Sequence, residues 1–289
     1  MPDNLFRRPL VGPIQDSFLD GTYQELPVTG SVIMERSMRM KDKVAIVTGA
    51  ARGIGRAIAV RFGQEGARVA IVDLRDEEGR ETLRLIEAAG GQAAVIPTNV
   101  SDQRQVQAMV DAVVEQWGAI DILVNDAGIC PFADFLEMSE ALWDQVLDVN
   151  LKGYFLCSQA VAKVMVEQGV KGRIIAVSSI SSQFGGSSQA HYCASKAGIN
   201  LLVKSMAISL GPYGITCNAV LPGTVETDIN RNALADPEVR DYWSKRAPLG
   251  RLGQPEDIAG PVLFFASEDS AWCTGSMLVV DGGTSVNLQ

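Results

Sequence analysis

Short β-branched segments alternate with longer amphipathic segments from Lys43 to the end of the chain. The short segments predict strands at residues 44–47, 69–72, 94–96, 122–124, 174–177, 216–220 and 277–280. The longer segments predict helices at residues 55–64, 77–89, 106–117, 142–166, 194–210 and 255–266, with a break expected in the fourth. Because continuous apolar strands that alternate with helices form parallel sheets covered on both faces, the sequence predicts a doubly wound α/β sheet of about seven strands. Ligands bind such sheets at the topological switch point, beyond the carboxyl ends of the strands.

The first forty residues lack this alternation. Prolines stand at positions 2, 9, 13 and 27, and acidic residues divide the short apolar stretches. A secretory signal needs a continuous apolar segment of about 7 to 15 residues, and none is present here. We therefore expect residues 1–40 to be an N-terminal extension, either disordered or an arm that packs on a partner subunit, and residues 41–289 to form one domain.

Composition excludes several classes of function. Of the 289 residues, 47% are hydrophobic and 20% are charged, and no apolar run approaches the length of about 18 residues that a membrane span requires. The formal net charge of −9 disfavours nucleic acids and anionic membranes as partners, because both bind basic surfaces. The five cysteines are scattered and only one histidine is present, so we expect no metal site and reduced thiols in a cytoplasmic protein.

A glycine-rich turn follows the first predicted strand and opens the first predicted helix. Residues 48–55 read TGAARGIG, in which Gly49 permits a tight turn while Gly53 and Gly55 allow backbone amides to approach a phosphate closely. A turn that merely needs small residues is the alternative. The position between a strand and a helix favours a dinucleotide site.

An acidic residue ends the second predicted strand, roughly 20 residues after the glycine turn. Asp73 at this position is placed to accept hydrogen bonds from the adenosine ribose, and its charge would repel a 2′-phosphate. NAD is therefore expected as the cofactor. Arg52 and Arg75 lie nearby and could meet a phosphate, so use of NADP stays open.

Tyr192 and Lys196 are four residues apart in a stretch that predicts the start of a helix, and this spacing places both side chains on one face. A neighbouring ammonium favours the phenolate and lowers the pKa of a tyrosine. The pair could therefore exchange a proton near neutral pH. A solvated helix face is the alternative for the pair taken alone.

Several motifs occur in one order along the chain, and together they resemble the short-chain dehydrogenase/reductase family. They are the glycine turn, NDAG at residues 125–128, Asn150, the serines of residues 178–182, Tyr192-x-x-x-Lys196 and PGTVET at residues 222–227. The resemblance covers the chain after about residue 40. It implies a Rossmann fold and an oxidoreductase that uses a nicotinamide cofactor.

The resemblance also implies a role for individual residues. Tyr192 would be the general acid and base, Lys196 would lower its pKa and hold the nicotinamide ribose, and Asn150 would hold a water in the proton relay. Ser179 would bind the reacting oxygen, because the family places its serine thirteen residues before the tyrosine. Strand alternation alone says only that Ser178 and Ser179 face opposite ways. The family's cofactor site would comprise Gly49, Arg52, Gly53, Ile54, Gly55, Asp73, Leu74, Asn99, Val100, Asn125, Ala127, Gly128, Tyr192, Lys196, Pro222, Gly223, Val225 and Thr227.

Two positions depart from the family pattern. Asn99 stands where the family often has an aspartate near the adenine, and an amide can still donate and accept hydrogen bonds there. Asp126 stands where the family usually has a second asparagine. If its side chain turns away from the cofactor the change is neutral, and otherwise a charge near the phosphates would weaken binding.

A narrower resemblance, carried mainly by DAGICPF at residues 126–132 and VNLQ at residues 286–289, is to bacterial aldose 1-dehydrogenases. It implies oxidation of a sugar such as L-rhamnose at C1 to its lactone. The alternative within the family is a 3-oxoacyl-carrier-protein reductase or another carbonyl reductase, against which Asp73 and the acidic balance count.

The substrate is expected beneath residues 225–246, a polar segment that predicts two short helices and could act as a lid. Candidates for contacts with sugar hydroxyls are Ser181, Gln189, His191 and Asn230, although a local structural role is favoured for His191. The apolar helices near residues 150–166 and 194–210, together with the family's habit, predict a homotetramer.

Overall fold

Seven parallel strands form one sheet in the computed structural model, which describes residues 38–287. The strand order is β3-β2-β1-β4-β5-β6-β7, so the chain winds outward in one direction from β1 to β3 and in the other from β4 to β7. The predicted doubly wound sheet of seven strands is therefore confirmed. The strands are β1 Val44–Thr48, β2 Arg68–Asp73, β3 Gln92–Pro97, β4 Ile122–Asn125, β5 Arg173–Val177, β6 Thr216–Pro222 and β7 Met277–Val280.

Helices connect the strands and cover both faces of the sheet. The helices are α1 Gly53–Gln64, α2 Asp76–Ala88, α3 Gln103–Trp117, α4 Glu140–Leu147, α5 Gly153–Gln168, α6 Ala190–Leu210, α7 Arg231–Leu234, α8 Pro237–Arg246 and α9 Pro255–Ala266. Alternation along β1 shows how the sequence divides the core: Val44 and Ile46 face α3, α5 and α6, whereas Ala45 and Val47 face α1, α2 and α9.

The expected break in the long helical segment lies at Asp148–Lys152, where a wider turn joins α4 to α5. Two contacts with neighbouring loops explain why the helix deviates here. The side chain of Asn150 is bound to the backbone of Ile129, and a Cβ at Gly153 would lie 2.9 Å from Val100. The break thus brings Asn150 to the edge of the sheet at which β4 ends.

The domain includes residues slightly before its expected start. Met40 is fully buried, and its backbone N–H donates to Glu65 O at 3.0 Å. The N-terminal extension expected over residues 1–40 otherwise lies outside the described residues. Within residues 38–287, no helix is both long enough and apolar enough to span a bilayer.

Candidate active site

The topological switch point lies between β1 and β4, which are neighbours in the sheet although β2 and β3 separate them along the chain. Thr48 and Asn125 pair at the carboxyl ends of these strands. The Thr48 Oγ1 accepts hydrogen bonds from the N–H groups of Asp126 at 3.1 Å and Ala127 at 3.2 Å. This hydroxyl therefore fixes the loop after β4 against the glycine turn after β1.

The glycine turn has no room for a side chain at Gly49 or Gly55, whereas Gly53 is favoured there by its positive φ. Gly49 has a φ of +70°, and a Cβ there would lie 2.8 Å from Ala127 N. Gly53 has a φ of +58°, and a Cβ at Gly55 would lie only 2.3 Å from Gly49 O. Backbone therefore packs directly on backbone at the start of α1. Such a turn lets a pyrophosphate approach the N–H groups at the helix N-terminus.

Asp73 ends β2 beside this turn. Its Oδ2 accepts from the Ala51 N–H at 3.1 Å, its Oδ1 accepts from the Arg75 N–H at 3.1 Å, and Arg75 Nη1 lies 3.6 Å from Oδ1. The carboxylate is thus held in place at the edge where an adenosine ribose would lie, with Leu74 exposed next to it. These residues fit a dinucleotide.

The sequence suggested that Arg52 could meet a phosphate, but its side chain is paired within the protein. Its guanidinium forms an ion pair with Asp228, which also pairs with Arg231. A Cβ at Gly53 would lie 3.5 Å from Thr227 Cγ2, so residues 225–230 lie across the glycine turn. Arg52 therefore joins this loop to the turn, and any phosphate contact would have to compete with Asp228.

Two predicted cofactor residues use their side chains within the protein. The Oδ1 of Asn99 accepts from the Ser101 N–H at 3.1 Å and from the Ser101 hydroxyl at 2.8 Å. Asn125 is buried, and its Nδ2 donates to Ser158 Oγ at 3.2 Å. Asn99 retains amide hydrogens for an adenine, whereas Asn125 chiefly anchors β4 to α5.

Ser179, Tyr192 and Lys196 come together where β5 ends and α6 begins. The Ser179 side chain hydrogen-bonds the Tyr192 phenol, and Lys196 Nζ lies 5.5 Å from the centroid of the Tyr192 ring. Lys196 Nζ also donates to Val177 O at 2.8 Å, which leaves two of its three hydrogens for other acceptors. Ser178 instead donates to Lys196 O at 3.3 Å, so Ser179 is the serine that faces the phenol.

Burial dominates the protonation of this group. It raises the pKa of the Tyr192 phenol, and the hydrogen bond from Ser179 lowers it only in part. Burial also lowers the pKa of Lys196 to about 8, partly offset by the Asp126 carboxyl. Within the protein alone, the ammonium thus does not overcome burial, contrary to the simple expectation from the spacing. A cationic nicotinamide ring beside the phenol would shift the balance toward the phenolate.

Asn150 is buried and fully engaged at its amide nitrogen. Its Nδ2 donates to Ile129 O at 3.0 Å and to Ser195 Oγ at 3.1 Å, while its Oδ1 accepts from the Ile129 N–H at 2.8 Å. Ser195 in turn donates to Tyr192 O at 2.8 Å. Asn150 therefore connects the helix break, through Ser195, to the backbone of Tyr192. Because both Nδ2 hydrogens are used, Asn150 could bind a water only through a lone pair of Oδ1.

The four substrate candidates have different surroundings. His191 is fully buried, with Nδ1 accepting from the Tyr192 N–H at 2.8 Å. Asn230 is bound to its own loop, since it accepts from the Thr227 N–H and donates to Val225 O. Gln189 and Ser181 lie at the two turns beside the catalytic group, which makes them the better placed pair.

Cys130 belongs to the DAGICPF segment of the narrower resemblance, but no role of its own was assigned to it from the sequence. Gln189 Nε2 donates to its Sγ at 3.4 Å, and the thiol lies close enough to Tyr192 to influence the phenol. Burial raises the pKa of the Cys130 thiol to about 11. The thiol therefore stays protonated and contributes an uncharged surface to the site. Among residues 38–287, no cluster of histidine, cysteine and acidic side chains could hold a metal ion.

Comparisons with known proteins agree with this geometry. The L-rhamnose 1-dehydrogenase (NAD(P)(+)) of Azotobacter vinelandii is 50% identical over 256 residues, which cover 87% of this chain and all of that protein. A 3-oxoacyl-acyl-carrier-protein reductase of Thermotoga maritima is 40% identical over 85% of this chain and 99% of its own length. A gluconate 5-dehydrogenase from Burkholderia cenocepacia, solved in complex with NADP and tartrate, superposes with a TM-score of 0.82 at 35% identity, covering 86% of this chain and 98% of that one.

The model of one protein family, described as enoyl-(acyl carrier protein) reductase, matches residues 49–285. This match begins within the glycine turn and ends beyond β7, so it includes Asp73, the loop after β4 and the group of Ser179, Tyr192 and Lys196. On this match, and on the identity with relatives over nearly their whole length, the chain belongs to the short-chain dehydrogenase/reductase family.

Proposed function

We propose that this protein oxidises L-rhamnose at C1 to its lactone, with a nicotinamide cofactor as the hydride acceptor. The observation that carries the proposal is the grouping of Ser179, Tyr192 and Lys196 beside the glycine turn, in a chain 50% identical to a relative named L-rhamnose 1-dehydrogenase. A sugar hemiacetal has the hydroxyl and the hydrogen on one carbon that this chemistry requires.

The three side chains divide the proton transfer among them. The Ser179 hydroxyl, already bound to the phenol, would orient the C1 hydroxyl of the sugar. Tyr192 would accept the proton of that hydroxyl as the phenolate. The nicotinamide ring supplies the hydride acceptor when the cofactor is bound. The two free hydrogens of Lys196 Nζ suit the hydroxyls of the nicotinamide ribose.

NAD is the proposed preferred cofactor, with NADP as a second possibility. The Asp73 carboxylate at the end of β2 supports NAD, since a second negative charge at that place disfavours a 2′-phosphate. Arg75 lies 3.6 Å from Asp73 and compensates part of that charge, which supports some use of NADP. The relative from Azotobacter vinelandii is named for use of both cofactors.

The sugar would lie between the catalytic group and the segment that contains α7 and α8. These two short helices match the pair expected at residues 225–246. The loop before them is held over the glycine turn by the Arg52–Asp228 ion pair. Among the proposed sugar contacts, Gln189 and Ser181 have the strongest support from their position, and His191 and Asn230 the weakest.

The proposed setting is a cytoplasmic homotetramer. All five cysteines are free thiols, which suits a reducing compartment. Large apolar side chains are exposed on α6 and, separately, near β7, and a tetramer would cover both sets.

A 3-oxoacyl-carrier-protein reductase is the second candidate, because the relative from Thermotoga maritima shares 40% identity over most of this chain. The acidic balance counts against it, since a carrier protein is itself acidic and needs a basic docking surface.

Initial rates with NAD and NADP across L-rhamnose, other aldoses, polyols and 3-oxoacyl thioesters test both candidates. We expect the highest kcat/KM with L-rhamnose and NAD, and a lactone as the first product. Turnover confined to 3-oxoacyl thioesters with NADPH would establish the second candidate instead.

A further inference from the structure

Asp126 is an acidic side chain beside the glycine turn, at the position where the family pattern usually has asparagine. It leaves β4 at the switch point, and its N–H is fixed by Thr48. A Cβ at Gly55 would lie 2.8 Å from its Oδ2, and the Gly55 N–H donates to the carboxyl. The carboxyl therefore lies under the first turn of α1 and faces the backbone to which a pyrophosphate would bind.

The groups around this carboxyl come from four elements. Asp73 at the end of β2 disfavours its charge, Lys196 on α6 favours it, and the Tyr192 phenol on α6 is influenced by it in turn. From α1 and β1 it meets the Gly55 amide and the Thr48 region, neither of which carries a charge. Burial is the largest influence and raises the pKa of Asp126 to about 7.

An asparagine at this position would accept the same hydrogen bond from Gly55 without ever carrying a charge. A protonated aspartic acid does likewise, whereas an ionised one adds a negative charge beneath the pyrophosphate. The oxidised cofactor has a cationic ring that offsets this charge, and the reduced cofactor does not. Ionisation should therefore weaken binding of the reduced form more than that of the oxidised form.

We propose that Asp126 is a positioning residue that links a proton to cofactor binding: its neutral carboxyl supports the bound reduced cofactor, and its ionisation promotes release of that cofactor. In the oxidative direction this would speed departure of NADH as pH rises. The proposal rests on the nicotinamide cofactor of the proposed function, but it does not depend on which sugar is oxidised.

Asp126→Asn tests the proposal because it keeps the shape and the acceptor and removes the charge. NADH affinity is measured by fluorescence titration at pH 6 and pH 9 in the wild type, in Asp126→Asn, and in Asp111→Asn, which changes an exposed aspartate on α3. We expect the wild type and Asp111→Asn to lose roughly fivefold more affinity over this range than Asp126→Asn does. Lys196 also titrates in this range, and loss of the Asp126 carboxylate lowers its pKa further. The difference between proteins is therefore interpreted together with the unfolding and proton-uptake measurements below.

Thermal unfolding without any cofactor gives a second readout. The pKa of Asp126 is raised by folding from 3.8 to about 7, so this carboxyl favours the folded state at low pH and ceases to do so as pH rises through 7. The melting temperature of Asp126→Asn should therefore exceed that of the wild type by more at pH 8 than at pH 5. Equal differences at both pH values would contradict the proposal.

Proton uptake by the wild type keeps the proposal testable should Asp126→Asn fold poorly. Calorimetric titration with NADH at pH 8, in buffers of different ionisation enthalpy, should show net proton uptake on binding. NADH binding without proton uptake would overturn this inference alone. No binding of NADH by any of the proteins would overturn the proposed function and this inference together.

Discussion

At the scale of single residues, the site depends on the opposing effects of burial and charge on two neighbouring groups. Burial raises the pKa of the Tyr192 phenol and lowers the pKa of the Lys196 ammonium to about 8. Both shifts disfavour the charged form of the side chain. A phenolate at Tyr192 is therefore favoured most when the Lys196 ammonium is charged beside it. A cationic ring nearby would favour the phenolate further, which couples the proton transfer to the bound cofactor.

The pH dependence of sugar oxidation follows from the need for the phenolate. Because Tyr192 must lose its proton to act as a base and burial raises its pKa, kcat/KM for oxidation should increase from pH 6 to pH 9. Reduction of the lactone requires the protonated phenol and should show the opposite trend. Rates in both directions across this pH range measure the two trends.

Tyr192→Phe should lower kcat by roughly a hundred- to ten-thousandfold, the usual contribution of a general base. The matched control is Tyr213→Phe, which removes the same hydroxyl from an exposed tyrosine beyond the far end of α6. The control should retain wild-type turnover. Retention of turnover by Tyr192→Phe would refute the assigned role, provided that both variants bind NADH equally well.

At the scale of elements, the sequence predicted the order and the faces of strands and helices well, because burial imposes periodicity directly. It was less accurate at helix starts. The third helix was expected from residue 106 but begins at Gln103, since the Asp102 side chain accepts from the N–H groups of Arg104 and Gln105. Capping is local in sequence, so closer attention to Asp102 would have found this start.

Contacts between loops were beyond the reach of the sequence. The pairing of Arg52 with Asp228 joins two loops that are far apart along the chain, and no periodicity relates them. Asn230 similarly holds the turn that begins at Val225, although its residue type suggested a sugar contact. The motif positions could be assigned by resemblance, whereas the partners of their side chains depend on the paths of loops in three dimensions.

The close packing of Gly55 on Gly49 in the glycine turn should be required for cofactor binding. A Cβ at Gly55 would lie 2.3 Å from Gly49 O. Because this oxygen belongs to the backbone, it cannot rotate away as the end of a flexible side chain could. Gly55→Ala should therefore displace the start of α1 and weaken NADH binding by at least roughly tenfold. Fluorescence titration measures this loss.

Gly260→Ala is the matched control for this change. Gly260 is also helical and lies on α9, but it is exposed, and no atom beyond its chain neighbours and its own helix backbone lies within 4 Å of the added Cβ. The higher helix propensity of alanine is opposed by the contact of its Cβ with Pro261, which follows it, so this variant should keep wild-type NADH affinity without a gain in stability. Equal NADH affinity in the two variants would show that the close packing at Gly55 is not needed for the cofactor.

At the scale of the whole molecule, exposed apolar side chains lie on two separate surfaces. One includes Leu201 and Ile208 on α6, which are 67% and 79% exposed and share a helix face. The other includes Trp272, fully exposed, and Leu278 on β7, the edge strand of the sheet. A tetramer with three perpendicular twofold axes uses at least two different self-complementary interfaces, and these surfaces supply two.

Substitutions on the two surfaces should therefore have separate and additive effects on assembly. If the protein is the proposed homotetramer, Ile208→Glu or Trp272→Glu alone should convert it to dimers, because each places an unpaired charge in one interface, and the double variant should be monomeric. Leu85→Glu on α2, where the leucine is also exposed but lies outside both surfaces, should remain tetrameric. Sedimentation velocity at assay concentrations distinguishes these states. A wild-type monomer, or a tetramer that survives both substitutions, would exclude this arrangement.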